Sequence, residues 1–183
     1  MQFEKALKLV GLAEGGYSNN PLDSGGETIC GIARNANPDW SGWEMIDLWK
    51  SRGVKGKDLD KLAKNDPKFM SLVNALYRGK YWNKAQCPYV PELLKYPMFS
   101  CAVNCGHNVA IKLLQRAAGV KDDGIFGKIS RTTCNSLPQK QLCETFYTKW
   151  GNYYQAIVRN KPSQQVFLKG WLNRIENVKK DNC

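Results

Sequence analysis

Near its start this 183-residue chain sets Glu14 before Gly15-Gly16-Tyr17, with Asp23 nine residues on and Thr28 five further. Two carboxyl groups and a hydroxyl in a glycine-rich stretch are the equipment for hydrolysing a glycosidic bond. One acid protonates the leaving oxygen, and a second group manages water or the developing oxocarbenium charge. Glu14 is expected at the C-terminal end of a helix. There the negative end of the helix dipole disfavours the carboxylate, so the side chain holds its proton. Gly15 and Gly16 carry no side chains and leave room for a bulky polymer. Asp23, in a polar loop, is expected to stay ionised, and Thr28 to hold a water through its hydroxyl. Asp23 beside Ser24-Gly25-Gly26 equally fits a turn-forming aspartate, and Thr28 a plain strand residue.

The elements that must position these groups follow from periodicity. Phe3, Ala6, Leu7, Val10 and Ala13 recur at helical spacing, so residues 2–13 read as an amphipathic helix ended by Gly15-Gly16. Residues 15–34 read as a loop or small β-hairpin, with a strand near Thr28–Ile32. Short helices are expected over Trp43–Trp49 and Asp58–Lys64. Asp66-Pro67 makes a helix start, capped by the acid and pre-set by proline, and Phe69, Leu72, Val73, Leu76 and Tyr77 carry it to about Arg78. Tyr81-Trp82 offers aromatic rings to a sugar cleft or to a core. Prolines from Cys87 to Pro97 suggest a break, and with it two lobes, 1–95 and 96–183. Helices are then expected over Phe99–Gly106, Val109–Ala118, residues 128–136, Gln139–Asn160 and from Pro162-Ser163 to about residue 179. The fold class is therefore mainly α: a helical bundle with a small β-hairpin or loop insertion after the first helix.

Composition narrows the partners. Hydrophobic residues make up 43%, enough for a core, and the net charge is +11. The charge is uneven: residues 96–183 hold 13 Lys/Arg against 5 Asp/Glu, or +8, leaving +3 for residues 1–95. A basic half suits a polyanionic surface, with a solvated face as the alternative. No apolar run reaches the roughly 20 residues of a membrane span. The N-terminus has no uninterrupted apolar stretch of the signal-peptide kind, so synthesis in the cytoplasm is expected. Seven cysteines and one histidine, His107, include no Cys-x-x-Cys, so no structural metal is expected and no cofactor is needed.

The run Glu14-Gly15-Gly16-Tyr17-Ser18-Asn19-Asn20-Pro21-Leu22-Asp23-Ser24-Gly25-Gly26-Glu27-Thr28, closing in Gly31-Ile32, resembles the signature of glycoside hydrolase family 108. These are N-acetylmuramidases with a lysozyme-like fold. Tyr77, Tyr81-Trp82 and Ala102-Val103-Asn104-Cys105-Gly106 continue the likeness. The second half is similar to the predicted peptidoglycan-binding domain that accompanies the family, through Leu114-Gln115-Arg116-Ala117, Asp123-Gly124-Ile125-Phe126-Gly127 and Phe167–Arg174. The resemblance implies a lysozyme-like α+β fold with Glu14 as acid and Asp23 and Thr28 governing the water. It implies peptidoglycan as partner, with Tyr17, Tyr81, Trp82, Asn104, Trp171, Asn173 and Arg174 as substrate contacts. Where the family often has an acid two residues before Ala102-Val103-Asn104, this chain has Ser100, and no role is assigned there.

The resulting expectation is a monomeric muramidase that acts in the periplasm or on the bacterial wall, in toxin export or phage lysis. It cuts the β-1,4 bond between N-acetylmuramic acid and N-acetylglucosamine without metal, membrane insertion or nucleic acid. The competing readings are a non-catalytic wall-binding protein, a chitin-cleaving enzyme and, through Lys149-Trp150 and Tyr153-Tyr154, a nucleic-acid binder. The last lacks any recognised motif.

Overall fold

The computed structural model describes residues 1–11, 15–20 and 25–182. Glu14 and Asp23 lie outside the described residues. Nine α-helices and a single two-stranded sheet are found among those described, so the architecture is mainly α with a small hairpin near the front. The chain divides into two compact units: Leu7–Gly79, and Met1–Ala6 together with Lys80–Cys183.

Helix α1 spans Phe3–Val10. Its end corrects the expected helix over residues 2–13. Gly11 stands at φ +70° and donates its N–H to the carbonyls of Leu7 and Lys8. A left-handed glycine closes a helix without the Cβ penalty, so the stop comes at Gly11 rather than at Gly15-Gly16.

In the unit Leu7–Gly79, β1 (Thr28–Ile29) and β2 (Ile32–Ala33) pair antiparallel, with Thr28 opposite Ala33 and Ile29 opposite Ile32. The two-residue connection is Cys30-Gly31, at φ +50° and +71°. Two positive φ values in a row are what a type I′ turn requires, and that turn matches the strand twist. A 3₁₀ turn over Arg34–Ala36 follows, then α2 (Gly42–Ser51), α3 (Gly56–Asn65) and α4 (Pro67–Tyr77). The Asp66 side chain accepts from Phe69 N–H at 2.8 Å, the cap expected from sequence. Trp40, Trp43, Trp49 and Phe69 form an aromatic core, joined by edge-on or tilted contacts of 5.2–5.5 Å. The Tyr77 hydroxyl, on α4, donates to the Cys30 carbonyl at 2.9 Å and fixes the hairpin to this core.

A π-helical segment (Arg78–Asn83) carries the chain from one unit into the next, where 3₁₀ turns at Cys87–Tyr89 and Glu92–Leu94 lead into α5 (Lys95–Cys105). The expected break at Tyr96-Pro97 is instead the first turn of α5. A proline costs nothing there, because first-turn N–H groups have no helical acceptor. Helices α6 (His107–Ala118), α7 (Lys128–Ser136), α8 (Gln139–Asn160) and α9 (Gln165–Asp181) complete it. Helix α8 is the axis and packs on α5, α6, α7 and α9. Its buried stripe is Leu142, Cys143, Phe146, Tyr147, Trp150 and Tyr154. Tyr154 is buried and Tyr153 beside it half-buried.

Gly31→Ala forces an L side chain into the left-handed region of the turn. It is expected to cost about 1–2 kcal/mol, read as a lower urea midpoint with unchanged slope.

Candidate active site

Thr28 is clamped from both sides. Beyond its pairing with Ala33, it exchanges two backbone hydrogen bonds with Ser18, at 2.7 and 2.8 Å. Cys30 N–H donates to Gly15 O at 3.1 Å. The strand that leaves Gly15-Gly16 is thus zipped to the hairpin by its backbone. The Thr28 hydroxyl donates to Gly26 O at 3.1 Å. Its proton is committed, which leaves the oxygen to act as an acceptor.

Beside Thr28 is a residue the sequence did not single out. Glu27 is 8% exposed. Its Oε1 accepts from the Tyr17 hydroxyl at 2.7 Å and from Lys50 Nζ at 2.8 Å, and Oε2 pairs with Arg34 Nε at 2.8 Å. Arg34 also holds Asp47 through two hydrogen bonds, 2.7 and 3.0 Å, and lies over the Trp43 ring at 4.4 Å. Burial alone would raise the Glu27 pKa. The Lys50, Tyr17 and Arg34 donors overcome it and hold the carboxyl below its usual range. Glu27 therefore cannot serve as a general acid. Tyr17 is pushed up to about 12 by burial and by the carboxylate it donates to. Its ring is fixed by this bond. The only sequence signal for Glu27 was its place next to Thr28; its partners come from 7–23 residues away and cannot be read locally.

The remaining candidates lie in the other unit. Trp82 is a core residue: it is buried, with edge-on contacts to Phe3 and Phe99 at 5.6 and 5.5 Å. This corrects its assignment as a substrate contact. Tyr81 is half-buried. Asn104 is exposed, donates to Ser100 O at 2.7 Å and accepts from Arg174. Trp171 stacks on Tyr154 at 5.0 Å and on Phe167 at 6.0 Å, and Phe167 is 52% exposed. Asn173 and Arg174 are exposed on α9. The structure thus brings Tyr17 and Thr28 together, and separately Asn104 and Arg174.

Gln115 explains the Asp123–Gly127 motif. Its buried amide donates to Asp123 Oδ1, Ile125 O and Ser130 Oγ at 2.9–3.1 Å and accepts from Gly124 N–H at 2.9 Å. That motif holds a turn. No cluster of three or more potential metal ligands occurs among the described residues.

Residues 7–106 match the family model described as Glycosyl hydrolase 108, and residues 109–176 match one described as Predicted Peptidoglycan domain. The chain belongs to glycoside hydrolase family 108. Membership makes it a glycosidase, and the second match makes peptidoglycan its substrate class. Among solved structures it is similar to SagA of Brucella abortus, at 24% identity and a TM-score of 0.69 over 98% of this chain and 92% of that one. That likeness supports the lysozyme-like fold alone. No match is found among curated proteins.

The Glu27 network yields a pH prediction. A carboxyl held below its unfolded value adds stability that is complete above about pH 4.3, the ordinary glutamate pKa, and is lost as pH falls through the folded value. Glu27→Gln is expected to flatten the acid limb of stability against pH. Arg34→Met leaves the buried carboxylate short of a partner and is expected to cost about 1–3 kcal/mol at pH 7 in urea unfolding.

Proposed function

We propose that the chain is an N-acetylmuramidase that hydrolyses the β-1,4 bond between N-acetylmuramic acid and N-acetylglucosamine. Glu14 gives its proton to the glycosidic oxygen, and Asp23 and Thr28 position the attacking water. The observation that supports this best is the hairpin. Thr28, its hydroxyl proton committed to Gly26 O, is pinned by backbone bonds to Ser18, and Gly15, next in sequence to Glu14, is bound to Cys30. Thr28 therefore accepts one hydrogen of a water. An ionised Asp23 accepts the other, which leaves the water's lone pair for the anomeric carbon. An inverting, single-displacement route suits that arrangement; it calls for carboxyl groups roughly 6.5–9.5 Å apart.

Exclusion of water by bound glycan desolvates Glu14 and raises its pKa when the acid is needed. Tyr17, half-buried and fixed by Glu27, lines the approach. In the other unit, Asn104, Trp171, Asn173 and Arg174 contact the wall polymer, and the +8 of residues 96–183 draws the chain to its anionic surface. The enzyme works as a monomer in the periplasm, in toxin export or phage lysis.

Glu14→Gln is expected to fold normally and to lose wall-lytic rate by about 10²–10⁴-fold. The check is mass spectrometry of digested peptidoglycan. Native enzyme should release muropeptides with reducing-end muramic acid. Reducing-end glucosamine, an anhydro sugar, or full turbidity loss with the Gln variant each refutes the assignment.

A further inference from the structure

Outside the hairpin, the most unusual cluster surrounds the sulfur of Cys105. Helix α5 places Cys101 and Cys105 four residues apart on one face. Cys101 is fully buried, and Cys105, the last residue of α5, is half-buried. As a thiol, Cys105 donates to Tyr154 Oη at 3.3 Å; as a thiolate it accepts from the same hydroxyl. The indole N–H of Trp150, a residue with no exposure, has no hydrogen-bond acceptor among the described residues and favours the charged form of this sulfur. A neutral Cys105 leaves that N–H orphaned, and a thiolate satisfies it. Arg174 of α9 adds positive charge.

The groups whose charge reaches the sulfur are Cys101 on its own helix, with Cys87 behind it, Tyr153 and Tyr154 on α8, and Arg174 on α9. The Cys101 and Tyr154 hydrogen bonds, with the Trp150 N–H and the Arg174 charge, outweigh burial and bring the thiol down to about 7. Burial pushes Cys30 and Cys134 up to about 11. Cys105 is thus favoured as a thiolate, whereas burial favours the thiol form of Cys30 and Cys134.

We propose that Cys105 is a thiol-modification site that forms a mixed disulfide with a small anionic disulfide. The Cys105 thiolate attacks one sulfur of R–S–S–R. A Sγ–S bond forms, the S–S bond breaks, and the electron pair leaves on RS⁻, which takes a proton from solvent. Cys105 is oxidised and one half of the reagent is reduced. Arg174 and the +8 of residues 96–183 select negative reagents. Cys101 does not displace the adduct. Helical positions four apart keep their Cβ atoms about 5–6 Å from each other, beyond the roughly 3.5–4.5 Å of a disulfide. The adduct sits one residue from Asn104 and its Arg174 partner. The site stands independently of the glycosidase reading.

The test uses the full chain carrying Cys183→Ser, with glutathione disulfide as anionic probe and cystamine as cationic probe, followed by peptide mass mapping. A single adduct on Cys105 is expected, with a rate midpoint near pH 7 rather than the ordinary 8.5 or so. At pH 7 its rate constant should be about threefold that of an unstructured cysteine peptide: about 16-fold more thiolate, offset by about fivefold lower nucleophilicity. Glutathione disulfide should outpace cystamine, with the gap closing in high salt. Tyr154→Phe should move the midpoint upward; Arg174→Gln, at an exposed position, should do the same if the first variant misfolds. No adduct, an adduct on another cysteine, loss of two hydrogens as an internal disulfide, or a midpoint that neither variant moves would overturn the proposal.

Discussion

The front of the molecule depends on one buried carboxylate. Glu27 gathers the Tyr17 hydroxyl, the Lys50 ammonium and the Arg34 guanidinium onto two oxygens. Those donors come from the strand after Gly15-Gly16, from α2 and from the turn after β2, so one side chain sets the spacing of three segments. Buried ion pairs contribute little net stability, because desolvation offsets most of the Coulomb gain. Their effect is to penalise every arrangement that leaves the charge unpaired. A two-residue strand pair would otherwise be marginal. The Glu27 network, the Tyr77 hydroxyl on the Cys30 carbonyl and the Ser18–Thr28 bonds hold it in one geometry.

The helices were legible in sequence where local rules decide. Gln139–Asn160 emerged with both bounds intact, because Pro138 and Pro162 flank a long periodic run. Asp66-Pro67 opened α4 as its cap chemistry requires. Misreadings arose where two local signals competed. Gly15-Gly16 read as the helix stop, but Gly11 closes α1 first. Pro97 looked like a break and proved to be a tolerated first-turn residue. Trp82 carried no mark to tell a cleft ring from a core ring; only its packing on Phe3 and Phe99 does so. Around the hairpin, the motif marked Thr28 and Tyr17 as candidates, while Lys50, Arg34 and Asp47 went unmarked, since long-range charge partners leave no local pattern.

The two units solve the polar-burial problem differently. The hairpin unit buries a charge and surrounds it with charges. The helical unit buries a neutral amide, Gln115, whose oxygen and nitrogen are both used on the Asp123–Ser130 segment. One of its partners, the Asp123 carboxylate, is held below its usual pKa by the Ile125 N–H and the Gln115 amide, so this clamp loosens only when acid protonates that group.

The electrostatics of the hairpin also bear on the acid chemistry. Lys50 and Arg34 are the cations that would otherwise favour an ionised carboxyl nearby. Glu27 and Asp47 take up both, so two positive and two negative groups sum to zero. A general acid must stay protonated near neutral pH, and an uncompensated lysine or arginine would strip it. Acid catalysis works by pushing carboxyl groups apart in pKa, and Glu27 takes the low end of that division. The general acid that the proposed function requires must therefore be a carboxyl other than Glu27.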